Sequence, residues 1–183
     1  MIVAFAGLPG TGKSTLARAL AGHLAGSPVM LLDKDTERYH LFGDTLTTYD
    51  REQDDFVVDL LYRAAAWQLR RDPATTVILD GRTYSRAYQV TQLHALAAEL
   101  AQPLVIVECV CAPATALTRL HRDHTAASHP AADRTPDLHH RLRADADPIS
   151  TPTLVLDTDA PAEHTLSRLL THLTSALNTQ ETS

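Results

Sequence analysis

The sequence predicts an α/β protein, a three-layer α/β/α sandwich built on a five-stranded parallel sheet. Two observations predict it. Five short apolar runs recur along the 183 residues, and segments of helical periodicity separate them. The runs are apolar on consecutive residues rather than on alternate ones, as in strands buried on both faces. Apolar residues make up 44% and charged residues 21% of the chain, ordinary values for a globular protein. The length suits one domain spanning residues 1–183.

The first run, residues 2–6 (IVAFA), is followed by a Gly-rich turn and a helix from about Lys13 to Ala25. Residues 28–32 (PVMLL) form the second run. Over residues 51–71, Phe56, Leu60, Leu61, Ala64 and Trp67 recur at three- and four-residue steps, the spacing of a helix that Pro73 then stops. The third strand is 76–79 (TVIL), a helix covers 85–101, and the fourth strand is 104–111. Pro113 opens a helix running to about Arg122. Residues 123–136, polar and broken by prolines, read as a mobile loop, with a short helix near 137–146 beyond. The fifth strand is 153–157 (TLVLD), and the last helix, about 161–177, carries Leu166, Leu169, Leu170, Leu173 and Leu177. The tail NTQETS is expected to fray.

Residues 7–14 read GLPGTGKS, the pattern G-x-x-x-x-G-K-[ST] between an apolar strand and an amphipathic helix. The chemistry asks for each part. Glycines let the backbone curl so that successive N–H groups point at a β-phosphate. Lys13 reaches the β- and γ-phosphates as a flexible point charge, and Ser14 offers a hydroxyl to Mg²⁺. The helix start adds its partial positive charge. Gly7, Leu8, Pro9, Gly10, Thr11, Gly12, Lys13, Ser14 and Thr15 are therefore the candidate ATP site. The chain has two lysines among its 16 basic residues, and Lys13 and Lys34 both fall beside this site.

Ligands of parallel α/β sheets sit beyond the carboxyl ends of the strands, so carboxylates there are candidates for chemistry. Asp80 closes VILDG, the position that supports Mg²⁺ or its water shell; the alternative is a turn Asp before Gly81. Asp33, Asp35 and Arg38 stand together in LLDKDTER. Asp35 is the candidate base or acceptor-orienting group, and Arg38, one helical turn later, is placed to hold the acceptor or the γ-phosphate. A plain N-cap is the alternative role for Asp35.

GLPGTGKST, DKDTER, VILDGR and TRLHR, in that order, resemble the nucleoside-monophosphate-kinase-like branch of P-loop kinases. That branch contains gluconate kinase, adenylylsulfate kinase, chloramphenicol phosphotransferase, zeta toxins and 5′-polynucleotide kinases. The resemblance implies a P-loop NTPase fold with strand order 2-3-1-4-5 and a mobile lid, here about 123–136. It also implies a D-x-x-R general base, matched by Asp35 and Arg38. The stretch after Asp80, GRTYSRAYQ, lacks the FISP segment of adenylylsulfate kinase. Neither a basic acceptor groove nor a second catalytic domain, frequent in polynucleotide kinases, is evident.

Arg119 and Arg122, at i and i+3 on one helix face, fit the arginines that in related kinases stack on adenine or meet the transferring phosphate; a solvated basic face is the alternative. Arg134 is a further candidate. Arg82 and Arg86, with Tyr84 and Tyr88, follow Asp80 and should line the acceptor side, the rings either stacking on a ligand or packing. His121, His124, His129, His139 and His140 read as scattered rather than metal-binding. Cys109 and Cys111 read as reduced core residues.

The expected activity is transfer of the ATP γ-phosphoryl group, with Mg²⁺, to a hydroxyl of a small molecule. The alternatives are a 5′-hydroxyl polynucleotide or nucleoside kinase, and a non-catalytic nucleotide-binding regulatory protein. A net charge of −6 disfavours a nucleic-acid partner, and no N-K-x-D segment suggests a signalling GTPase. No apolar run is long enough for a bilayer and Met1 opens directly on a strand, so the expected location is cytoplasmic.

Overall fold

The computed structural model describes residues 1–125 and 135–180. In chain order the elements are β1 (Ile2–Ala6), α1 (Lys13–His23), β2 (Val29–Asp33), α2 (Lys34–Leu46), α3 (Arg51–Arg71) and β3 (Thr76–Asp80). There follow α4 (Ala87–Glu99), β4 (Leu104–Val110), α5 (Pro113–Thr125), α6 (Pro136–Asp145), β5 (Leu154–Asp157) and α7 (Ala162–Gln180). The five strands form one sheet in the order β2-β3-β1-β4-β5, every neighbouring pair parallel. This is the expected order.

β1 sits at the centre because all five of its residues are apolar and buried. Strand alternation sends Ile2, Ala4 and Ala6 to the face covered by α3 and α4, where Val57, Leu61 and Leu93 meet them. Val3 and Phe5 face the opposite layer, against Leu16 and Leu20 of α1 and Leu169 and Leu173 of α7. Each such side chain contributes about 1.5–3 kcal/mol by leaving water. Two cores back to back on one sheet make the three layers. Among the described residues no helix is long and apolar enough to cross a membrane.

Four details differ from the sequence reading. The segment after β2 is a helix, α2, and its N-cap is Asp33 rather than Asp35: the Asp33 carboxylate accepts from the N–H groups of Asp35 and Thr36. Asp35 and Glu37 then fill the first turn, where negative charge is favourable. On α3 the buried stripe is Val57, Leu61, Ala65 and Leu69, while Phe56 and Trp67 are 52% and 60% exposed. The true stripe is offset by one residue, about 100° around the helix, and the large rings pair locally instead. Phe56 meets Phe42 edge-on, and Trp67 lies under the Arg71 guanidinium. Cys109 is buried, its thiol pushed up to about 12 by desolvation, but Cys111 lies one residue past β4 and is half-buried. Finally, α5 reaches Thr125 and α6 begins at Pro136. Most of the expected lid, including Arg134 and His129, lies outside the described residues.

Candidate active site

The phosphate cradle follows directly from the end of β1. Gly7 ties the loop to its neighbour: its N–H donates to the Thr83 carbonyl. Gly10 takes φ 83, and a Cβ there would lie 2.6 Å from the Ala116 carbonyl oxygen of α5, so only glycine fits. Lys13, almost fully buried at the start of α1, folds back to donate to the Leu8 carbonyl at 2.8 Å. Thr11 donates to the same oxygen.

Beside the cradle lies an acidic corner. Parallel pairing of β2 with β3 sets Asp33 directly opposite Asp80. Asp80 is buried, and its carboxyl is pushed above the usual carboxylate range, first by desolvation and then by the Asp33 charge. A hydrogen bond from Ser14, the charge of Lys13 and the Gly81 N–H offset part of this. One Asp80 oxygen, Oδ1, is buried without a hydrogen-bond partner. Gly81 is required by the approach of α2: at φ 87, a Cβ would fall 2.9 Å from the Lys34 nitrogen. These residues fit a magnesium ion. The donors are a hydroxyl and carboxylates, all hard oxygens, and an orphaned buried carboxylate oxygen gains most from a cation.

Asp35 and Arg38 come together as expected, inside a wider charge network. Lys34 Nζ lies 3.3 Å from Asp35 and 3.0 Å from Asp54, and Arg38 pairs with Asp54 and lies 3.9 Å from Asp35. The Lys34 and Arg38 side chains are 9% and 4% exposed. The Arg38 guanidinium also lies over the Tyr49 ring. These residues wall a cleft of about 250 Å³ whose other walls include Lys13, Ser14, Arg82, Arg86, Leu138 and Leu142.

Arg82 is buried, pairs with Asp55, and lies between Tyr84 and Tyr88. Tyr84 is itself buried, with its hydroxyl 3.2 Å from that of Tyr62, so it is a packing residue. Tyr88 turns its hydroxyl to Asp55. Arg86 is tied to α6, donating to the Asp145 carbonyl and carboxylate.

On the other side of the cradle is a larger cleft of about 580 Å³, lined by Gly12, Lys13, Ser14, Thr15, Arg119 and Arg122, with Thr158 and Asp159 from the end of β5. Arg119 donates to Thr158 Oγ1 and O at 3.0 and 2.8 Å and reaches the Gly10 carbonyl at 3.4 Å. Arg122 is 76% exposed and lies 3.5 Å from the carboxylate of its neighbour Asp123. The two arginines thus share a cleft but not an environment.

Sequence reasoning missed two residues of this region. Thr158 links β5 to the cradle by donating to the Thr11 carbonyl at 2.9 Å. Its signal was weak: one hydroxyl after a strand-end Asp. His139 of α6 is buried with Nδ1 2.9 Å from the Pro9 carbonyl oxygen. Nothing in a His-rich stretch distinguished it. Among the described residues no group of three His, Cys, Asp or Glu is gathered to hold a metal, whereas magnesium commonly takes only one or two carboxylates beside phosphate and water.

The family model described as AAA domain matches residues 2–135. No curated protein matches the chain by sequence. Among solved structures, the APS kinase CysC of Mycobacterium tuberculosis, in complex with AMPPNP and APS, superposes with a TM-score of 0.71 at 19% identity, over 94% of this chain and 96% of that one. Kti12 of Chaetomium thermophilum, in complex with ADP-AlF3, gives 0.68 at 17% identity, over 96% and 98%. A sugar kinase from Janibacter sp. gives 0.62 at 18% identity, over 94% of each chain. At such identities the likeness is one of fold. That fold is the P-loop NTPase fold of the nucleoside-monophosphate-kinase-like branch.

Proposed function

The chain belongs to the AAA domain family, and we propose that it is an ATP-dependent kinase whose acceptor is a hydroxyl of a small molecule. One observation supports this above others. The two clefts share Lys13 and Ser14 as a common wall, with the wide cleft on one side and the Asp35–Arg38 cleft on the other. A nucleotide laid in the first, with its phosphates on the cradle, presents its γ-phosphate toward the second.

On this reading the cradle N–H groups and Lys13 bind the phosphates, and Arg119 closes the nucleotide side. Ser14 and Asp80, with Asp33 beside them, would hold magnesium, which when bound neutralises charge on the phosphates. The acceptor hydroxyl lies against Asp35. As its oxygen attacks the γ-phosphorus, its proton passes to the Asp35 carboxylate and the bond to the β–γ bridging oxygen breaks, releasing ADP. Lys34 and Arg38, within 4 Å of Asp35, fix its orientation. Arg38, Arg82 and Arg86 supply donors for the acceptor's other oxygens.

The test is a screen with γ-labelled ATP against sugars, nucleosides, antibiotics and 5′-hydroxyl oligonucleotides, run beside Asp35→Asn. Label should move to one small-molecule class, and Asp35→Asn should lower kcat by about 10²–10⁴ with ATP affinity kept. Label on oligonucleotides would replace the small-molecule acceptor with a nucleic-acid one. ATP binding without transfer to any acceptor would favour a regulatory protein.

A further inference from the structure

We propose that His139 is a positioning residue of the phosphate cradle, orienting the Pro9–Gly10 peptide so that the Gly10 N–H points at a bound β-phosphate; this rests on the reading that the loop binds nucleotide. The geometry begins with the buried contact between His139 Nδ1 and the Pro9 carbonyl oxygen, 2.9 Å apart. A carbonyl only accepts, so Nδ1 carries the hydrogen. The peptide is trans, so its N–H and C=O point in opposite directions. Holding the Pro9 oxygen outward on α6 therefore turns the Gly10 N–H away from α6, into the cradle.

The neighbouring carbonyl is treated alike. The Gly10 oxygen faces Arg119 at 3.4 Å and the Cys111 thiol at 3.9 Å. The crest of the loop is thus gripped from outside at two successive oxygens. Gly10, with φ 83, has too soft a backbone to fix that orientation alone.

The helix that carries His139 is itself anchored. At its start Thr135 Oγ1 accepts from the Leu138 N–H at 3.2 Å, and at its end Asp145 is held by Arg86. A side chain that merely filled space would not need a ring nitrogen aimed at a main-chain oxygen.

The experiment is calorimetric titration of ADP and AMP, with Mg²⁺ present, into the wild type, His139→Leu and His139→Asn. Leucine fills the site without a donor. Asparagine places its side-chain N–H₂ where Nδ1–H was. ADP affinity should fall about tenfold in His139→Leu while AMP affinity stays within about twofold, because only ADP carries the β-phosphate. His139→Asn should restore most of the ADP affinity. Unchanged ADP affinity in a folded His139→Leu protein, or parallel loss of ADP and AMP, overturns the inference while leaving nucleotide binding intact. A wild type that binds neither nucleotide removes the nucleotide reading itself, and the inference with it. If His139→Leu does not fold, nitrogen NMR of the wild-type imidazole decides: a neutral ring protonated only at Nε2 overturns the proposal, and one protonated at Nδ1 together with wild-type ADP affinity in His139→Asn supports it.

Discussion

Replacing Asp80 with asparagine should stabilise the nucleotide-free protein and weaken its response to magnesium. Asp80 is buried opposite Asp33, and its Oδ1 has no hydrogen-bond partner. A buried polar atom left unpaired costs about 1–3 kcal/mol, more when it is charged. Asparagine keeps the shape, removes the like-charge contact, and offers its N–H₂ to Asp33. A gain of about 2 kcal/mol would raise the melting temperature by about 4–8 °C for a chain of this size.

The gain should depend on pH, with a definite sign. The folded-state carboxyl of Asp80 lies above its unfolded value of 3.8, owing to desolvation and then to Asp33. The folded wild type therefore holds its proton more tightly than the unfolded chain does. Its stability from this group is fully present below the unfolded value and is lost as pH rises through the folded one. The variant does not titrate there, so its advantage should be largest at neutral pH and should vanish below about pH 4. Thermal melts across that range, with and without Mg-ADP, measure both effects. Mg-ADP should raise the wild-type midpoint substantially and that of Asp80→Asn much less. A variant no more stable than wild type at neutral pH, a gain that ignores pH, or an equal response to Mg-ADP would refute the reasoning.

Three further outcomes are expected. Lys13→Ala should abolish transfer and sharply weaken ATP binding by calorimetry while leaving the circular dichroism spectrum unchanged; unaltered turnover would remove the cradle from the chemistry. Arg119→Ala should weaken ATP about tenfold, because the guanidinium holds Thr158 and the Gly10 carbonyl together; equal affinity would make Arg119 a surface residue. Asp35→Asn should also lower stability, by about 1–3 kcal/mol in a denaturant titration, since Lys34 and Arg38 would lose the charge of a carboxylate that is 11% exposed and keep that of Asp54, which is 32% exposed. Unchanged stability would mean that the Asp35 charge does not support the fold.

The sheet was legible because β1, β3 and β4 are apolar on consecutive residues, a pattern that depends on burial on both faces and on nothing distant. The cradle was legible because its chemistry is local: eight consecutive residues carry the glycines, the lysine and the hydroxyl. Asp80 and Asp33 could be placed at strand ends, but their pairing required knowing that β2 lies beside β3, which came only from family likeness. The stripe on α3 was misread because Phe56 and Trp67 outweigh Val57 and Ala65 in bulk, and bulk does not reveal which side faces the sheet. Thr158 and His139 reach Thr11 and Pro9 across more than a hundred residues of sequence. No periodicity or motif encodes such contacts. They exist because β5 and α6 close over the loop.

The same topology explains why the acidic corner exists at all. Two adjacent parallel strands that both end in aspartate force two carboxylates together at the sheet edge, where the Asp33 charge raises the cost of ionising Asp80. A protein selected only for stability would lose one of them, and the Asp33 cap on α2 shows which is needed for the fold: Asp33 receives three hydrogen bonds from α2. Asp80 has no such duty, and among the described residues its Oδ1 is left empty-handed. In the nucleotide-free chain the Ser14 hydrogen bond and then the Lys13 charge offset part of the cost of ionising Asp80. On the proposed reading Lys13 turns to phosphate, Asp80 loses its share of that compensation, and another cation restores it. On the proposed reading that cation arrives with the nucleotide. The strain at Asp80 then couples metal and nucleotide binding, each relieving a cost the other exposes.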